Sequence, residues 1–280
     1  MNLSIERIKI NVKRAVGYVR YFRTYQKWAG FTEKCWPKRC DLTIVIAAHD
    51  RLAILEQVIT QFSAIEERKP EGSIQLVICL SDRNEASLLE NSIGERAWIH
   101  IILCPNKPLG NKWQQAVNYA KELNPNHLLV CGSDDVVSED YLSQCESSFL
   151  QYSDLDLCAP NHWHIVNQAE NVYRVKYKNS STKQVLGAGR MYSRFFLDEI
   201  DWRLFDRQLD SGLDHRGLAT VLDRSPQKLK VIDTEYTVLS VKGDWSMLNT
   251  FRVIESSGKV SVEKLENQAA KRCMKEFGLR

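Results

Sequence analysis

The stretch Leu42-Thr43-Ile44-Val45-Ile46-Ala47-Ala48-His49-Asp50-Arg51 decides the architecture. Its first half is an apolar run without polar alternation, as a strand covered on both faces requires. Its second half is a polar triplet at the run's carboxyl end. Leu52, Leu55, Val58, Ile59, Phe62 and Ile65 then recur on one helical face, which stops before Pro70-Glu71-Gly72.

The pattern repeats downstream. A strand is expected over Ile74–Leu80, then a loop and short helix, a strand over Trp98–Leu103, a loop Pro105–Gly110, a helix Asn111–Leu123 and a strand His127–Cys131. Ser138, followed by Glu139 and Asp140, is a good N-cap with acids where the helix dipole favours them. A strand over Leu155–Ala159 follows. Strands alternating with helices predict an α/β fold with a mostly parallel sheet and right-handed crossovers.

Beyond residue 160 the alternation breaks down. A period-2 strand is expected at Val172–Val175, a glycine-rich loop at Gly187-Ala188-Gly189 and a charged helical stretch around 193–224. Strand-like Lys230–Ile232 and Tyr236–Val241 come next, and a mostly polar helix over Val262–Phe277 ends the chain. The expected division is a basic extension at 1–40, an α/β domain at 41–245 and a C-terminal helical segment at 246–280.

The chain has 280 residues and a net charge of +3, but residues 1–40 alone carry ten Lys/Arg against two Glu, leaving −5 for the remaining 240. Ile5, Ile8, Val12, Ala15, Val16 and Val19 recur at three- and four-residue steps among these cations, the pattern of a basic amphipathic helix. Docking of that helix on the α/β domain or on a partner is one reading. Peripheral membrane contact through residues 1–30 is the other, since Tyr18, Tyr21, Phe22, Tyr25 and Trp28 alternate with Arg20, Arg23 and Lys27. No nucleic-acid motif accompanies the charge.

No run of about 18 apolar residues occurs, so no transmembrane helix is expected. Charges at Glu6, Arg7, Lys9, Lys13 and Arg14 interrupt any signal-peptide core. The expected location is cytoplasmic, peripheral at the inner face of the membrane if the head binds lipid. Cys79, Cys104, Cys131 and Cys158 lie in apolar runs as core thiols, whereas Cys35 and Cys40 stand in a basic aromatic stretch without a second pair at zinc-ligand spacing.

In open α/β sheets ligands bind beyond the carboxyl ends of the strands. The residues there are His49-Asp50-Arg51, Ser81-Asp82-Arg83, Asn106 to Lys112 and Ser133-Asp134-Asp135. Adjacent carboxylates such as Asp134 and Asp135 can hold Mg²⁺ or Mn²⁺ against a diphosphate. An acidic turn before a helix is the plainer alternative.

This order of segments resembles the inverting family 2 glycosyltransferases of the GT-A fold, over roughly residues 42–145 with weaker echoes to about 245. The resemblance implies a Rossmann-like, mostly parallel sheet flanked by helices. It implies transfer of a sugar from a nucleotide-sugar donor, with UDP-sugars favoured, to a glycan or lipid-linked acceptor, assisted by Mn²⁺ or Mg²⁺. By that resemblance His49, Asp50, Arg51, Asp82, Gly110, Lys112, Ser133 and Asp134 border the donor, and Gly189 joins them because the glycine-rich loop permits close backbone approach to donor or acceptor.

Asp135 and Asp134 become metal ligands, with Gly132 where the family usually places its first acid. Inversion needs a carboxylate base to take the acceptor proton, and Leu209-Asp210-Ser211-Gly212-Leu213-Asp214 falls where the family's acid lies. Asp214 is the first candidate and Asp210 the second. Lys112 faces phosphate or is an ordinary surface lysine, and Arg190 and Arg194 are further phosphate candidates. His162-Trp163-His164 are candidates for the acceptor side.

Two other functions stay open. A nucleotidyltransferase would want a glycine-rich phosphate loop after the first strand, and Ala48-His49-Asp50-Arg51 lacks glycine. A nucleotide-binding module with a degenerate site is the non-enzymatic alternative, motivated by Gly132.

Overall fold

The apolar run lies inside β1 (Cys40–Ala47), where Ile44, Val45 and Ile46 are fully buried. The computed structural model describes residues 40–167, 171–178, 185–213, 219, 223, 228–242 and 258–279. The basic helix expected in the head and the candidate base Asp214 lie outside these residues. No described helix is long and apolar enough to cross a membrane.

From β1 the chain continues through α1 (Leu52–Glu66), β2 (Ile74–Leu80), α2 (Arg83–Ile93), β3 (Ile99–Leu103), α3 (Leu109–Glu122) and β4 (Pro125–Val130). After β5 (Asp135–Val137) and α4 (Glu139–Gln151) come β6 (Leu157–Pro160), β7 (His162–Asn167), β8 (Val172–Tyr177), β9 (Arg190–Ser193) and α5 (Arg194–Glu199). The described chain ends with β10 (Leu229–Ile232), β11 (Val238–Lys242), β12 (Val260–Lys264) and α6 (Asn267–Glu276).

Seven strands form the main sheet in the order β10-β6-β9-β4-β1-β2-β3, mostly parallel and flanked by helices. Among the described residues only the pairings of β9 in this sheet, with β4 and β6, are antiparallel. A second sheet of five strands follows the order β12-β8-β7-β11-β5. Four residues separate β4 from β5, so the chain passes from one sheet to the other within the acidic loop.

The first half matches its sequence pattern closely. α1 buries Leu55, Val58, Ile59, Phe62 and Ile65, and the Ser138 side chain caps α4 by accepting from the Tyr141 amide at 3.1 Å. The second half differs. Arg190–Ser193, between the expected glycine-rich loop and the start of the expected helical stretch, is strand β9 inside the main sheet; a four-residue segment buried on both faces shows no alternation to recognise. Of the charged stretch 193–224, the described helix is α5. The expected helix Val262–Phe277 divides into β12, which pairs with β8, and α6.

Among the described residues seven cysteines are free and buried, including Cys40, whose thiol lies 3.3 Å from the Thr43 hydroxyl and 3.5 Å from the Leu123 carbonyl. They are packing residues. Gly189, expected near the donor, is buried where the two sheets meet: its amide donates to the Val130 carbonyl at 2.8 Å and its carbonyl accepts from the Tyr141 hydroxyl. Its φ is +79°, and an added Cβ would lie 2.7 Å from Val238. Left-handed strain and overpacking together predict that Gly189→Ala lowers stability by about 2–4 kcal/mol, read from the urea midpoint.

Candidate active site

The order of strands creates the site before any side chain does. From β1 the chain moves outward to β2 and β3, then returns to place β4 on the other side of β1. Loops after β1 and β4 therefore run apart and leave a crevice at the carboxyl edge, the usual ligand position in such sheets.

Charged groups from three distant segments meet there. Arg51, after β1, donates from Nη1 to Asp134 Oδ2 at 2.8 Å, and Lys242, at the end of β11, donates from Nζ to the same oxygen at 2.7 Å. Asp134 is nearly buried, whereas the Arg51 side chain is 41% exposed and that of Lys242 17%. Asp135 faces away from this pair. Its Oδ1 accepts from the Ser240 hydroxyl and its Oδ2 from the Gly132 amide at 3.2 Å.

Burial, and then the charge of Asp134, push the Asp135 carboxyl up to about 6 against the opposing pull of Lys242, Ser240 and the Gly132 amide. Burial draws the Lys242 ammonium down, but Asp135 and Asp134 outweigh it and hold it above its ordinary range. Carboxylate and ammonium thus stabilise one another's charge.

Gly132 is more than a missing acid. A Cβ at this position would land on the Asp135 carboxylate and come 3.2 Å from Asp134 Oδ1, so an aspartate there requires Asp135 to move. Nor do the two acids fit Mn²⁺ or Mg²⁺ as they stand. Both Asp135 oxygens are bonded within the protein, Asp134 Oδ2 serves two cations, and no group of three His, Cys, Asp or Glu ligands occurs among the described residues.

Lys112 holds the neighbouring loops. Its ammonium donates to the Ala48 carbonyl, to Ser81 Oγ at 2.6 Å and to Asn106 Oδ1 at 3.4 Å, tying together the segments after β1, β2 and β3. It is neither a surface lysine nor a phosphate-facing one. Burial lowers its pKa, offset in part by Cys79, Cys104 and Glu85.

No family model matches the sequence, and no curated protein matches it. Among solved structures the fold is similar to residues 1–349 of S. aureus TarS, at TM-score 0.54 and 11% identity over 85% of this chain and 70% of that one. The same TarS segment in complex with UDP gives TM-score 0.55 at 12% identity and the same coverage. Its complex with UDP-GlcNAc gives 0.52 at 12%, over 72% of this chain and 58% of that one. This chain shares the GT-A-like fold of TarS. At such identity the likeness concerns the fold alone.

Around the crevice of this GT-A-like sheet, His49, Asp50 and Arg51 form an exposed loop, with Asp50 at φ 54° and the Arg51 amide donating to Glu85 Oε1 at 3.3 Å. Ser133 is buried beside Asp134. Asp82 is exposed at the end of β2 and caps α2, its Oδ1 accepting from the amides of Asn84 and Glu85.

The acidic loop before Asp214 is anchored to the start of α3. Gly110 donates to the Leu209 carbonyl at 2.8 Å and Asp210 Oδ1 accepts from the Leu109 amide at 2.9 Å. A Cβ on Gly110 would strike the Asp206 carbonyl, so glycine allows this close approach. Gln114 completes the anchor, donating to the Trp202 carbonyl at 2.7 Å and accepting from the Phe205 amide at 2.9 Å.

Several candidates face elsewhere. Arg190 donates to the carbonyls of Leu186 and Val185, and Arg194 bonds Asp198 and Asn124, so the structure assigns neither to phosphate. His162 and His164 are buried in β7. His164 pairs with Leu239, one residue out of phase with Ser240, so strand alternation puts both imidazoles on the sheet face opposite Ser240 and Lys242.

Lys242 and Ser240 were missed by sequence reasoning. Two polar residues one apart in an otherwise apolar strand, Val238-Leu239-Ser240-Val241-Lys242, were the available signal. Because Lys112→Met leaves buried acceptors unpaired, it is expected to cost about 2–4 kcal/mol, measurable by thermal or urea unfolding.

Proposed function

We propose that this chain is a glycosyltransferase that moves a sugar from a nucleotide-sugar donor, UDP-sugars first, onto a hydroxyl of a glycan or lipid-linked acceptor with inversion. The convergence of Arg51 and Lys242 on Asp134 at the switch point of the sheet carries this reading. Open α/β sheets bind their ligands at this edge, and the similar TarS fold has been solved with UDP and with UDP-GlcNAc, both of which support the reading.

In the proposed reaction the acceptor oxygen attacks the anomeric carbon from the face opposite the diphosphate. The bond from that carbon to the phosphate oxygen breaks, and the nucleoside diphosphate leaves with its electron pair. The acceptor proton passes to a carboxylate base. Asp214 is the candidate base by its sequence position. Asp210, four residues earlier, is exposed and has one oxygen committed to the start of α3, which makes it a residue that positions this loop.

A nucleotide-binding module without transfer is the second reading, favoured by Gly132 and by the compensated acidic pair. Both readings predict that one of UDP, GDP, CMP or TDP raises the melting temperature, since a ligand that binds only the folded state stabilises it. Only a transferase releases nucleoside diphosphate from a nucleotide-sugar. Asp214→Asn is expected to reduce that release by about 100-fold or more while sparing the nucleotide-induced shift. Loss of the shift instead would place Asp214 in donor binding.

A further inference from the structure

The two cations at Asp134 do what a divalent ion would otherwise do there. In a metal-dependent diphosphate site, carboxylates await an ion that neutralises them and bridges to phosphate. Here two carboxylates, Asp134 and Asp135, already lie with two cations, Arg51 and Lys242. A magnesium ion ligated to Asp134 Oδ2 at about 2.1 Å would share that oxygen with a guanidinium and an ammonium nitrogen at 2.8 and 2.7 Å. Like charges so close repel, so the ion enters only by expelling them.

A diphosphate meets the opposite situation. Each bond to Asp134 uses one of the five guanidinium hydrogens of Arg51 and one of the three ammonium hydrogens of Lys242. The remaining donors belong to side chains more exposed than the carboxylate beneath them. Asp134 fixes both cations in place, which lowers the ordering cost when an anion arrives, and a guanidinium suits phosphate oxygens bidentately. With the four charges nearly balanced, directed hydrogen bonds rather than net charge supply the attraction.

We propose that Arg51 and Lys242 bind the donor's diphosphate in place of a divalent cation, so that nucleotide binding by this chain does not require Mn²⁺ or Mg²⁺. The proposal rests on the sugar-transfer reading and replaces its expected metal with these two side chains.

The test is calorimetric titration of the full chain with UDP, and with GDP and TDP should UDP fail, once in EDTA and once in Mn²⁺. The expected result is an affinity for one nucleotide that is equal within about twofold in the two buffers. Lys242→Met, checked by circular dichroism for a native melt, should weaken binding in EDTA by about tenfold or more. Binding in Mn²⁺ that EDTA abolishes would overturn the proposal and leave the sugar-transfer reading standing. Binding of no nucleotide in either buffer would remove both. Should the variant not fold, the wild-type comparison between buffers decides alone.

Discussion

The Lys112 ammonium is buried on the carboxyl side of three adjacent parallel strands, and the loops framing the crevice are tied through it. Parallel strands all end on one edge, so a single group placed there reaches the segments that follow several of them. A lysine entering from the first turn of α3 supplies three donors at one point. It costs the desolvation of a charge, visible in its lowered pKa, and fixes the separation of the segments after β1, β2 and β3. The arrangement of His49 to Arg51 and of Ser81 to Asp82 is downstream of that one group.

A second layer of organisation comes from the smaller sheet. β5 leaves the acidic loop and pairs with β11, which delivers Ser240 to Asp135 and Lys242 to Asp134. Each acid thereby acquires its own partner, and the two carboxylates are turned in different directions although they are neighbours in sequence. Asp135 bends back on the Gly132 amide, whereas Asp134 holds the partly exposed Arg51. Gly132 follows from this division, because a side chain there and the inward Asp135 carboxylate occupy the same space.

The main sheet was legible because its signals are local. β2 spans Ile74–Leu80 as its apolar run predicts, and Ser138 caps a helix as its neighbours indicate. The short antiparallel strand β9 was illegible because it gains its stability from β4 and β6, not from its own four residues. At the site, Arg51, Asp134 and Asp135 stood out by lying at strand ends. Lys242 did not, since 108 positions separate it from Asp134 and only the pairing of β11 brings them together. Lys112 was visible but its direction was not, because a lysine is normally expected at the surface.

The pairing of β11 with β5 rests on Val238, Leu239 and Ser240 opposite Val137, Val136 and Asp135. Side chains along a strand alternate between faces, so a slip of one residue exchanges the whole set. Leu239 and Val241 would then turn toward the acids, and a hydroxyl and an ammonium would be replaced by two aliphatic side chains. The electrostatics of the crevice are therefore a parity property of a five-residue segment. Adding or deleting one residue in the surface loops leaves that parity intact, whereas one insertion between Val238 and Ser240 inverts it and takes from each carboxylate the partner that β11 supplies.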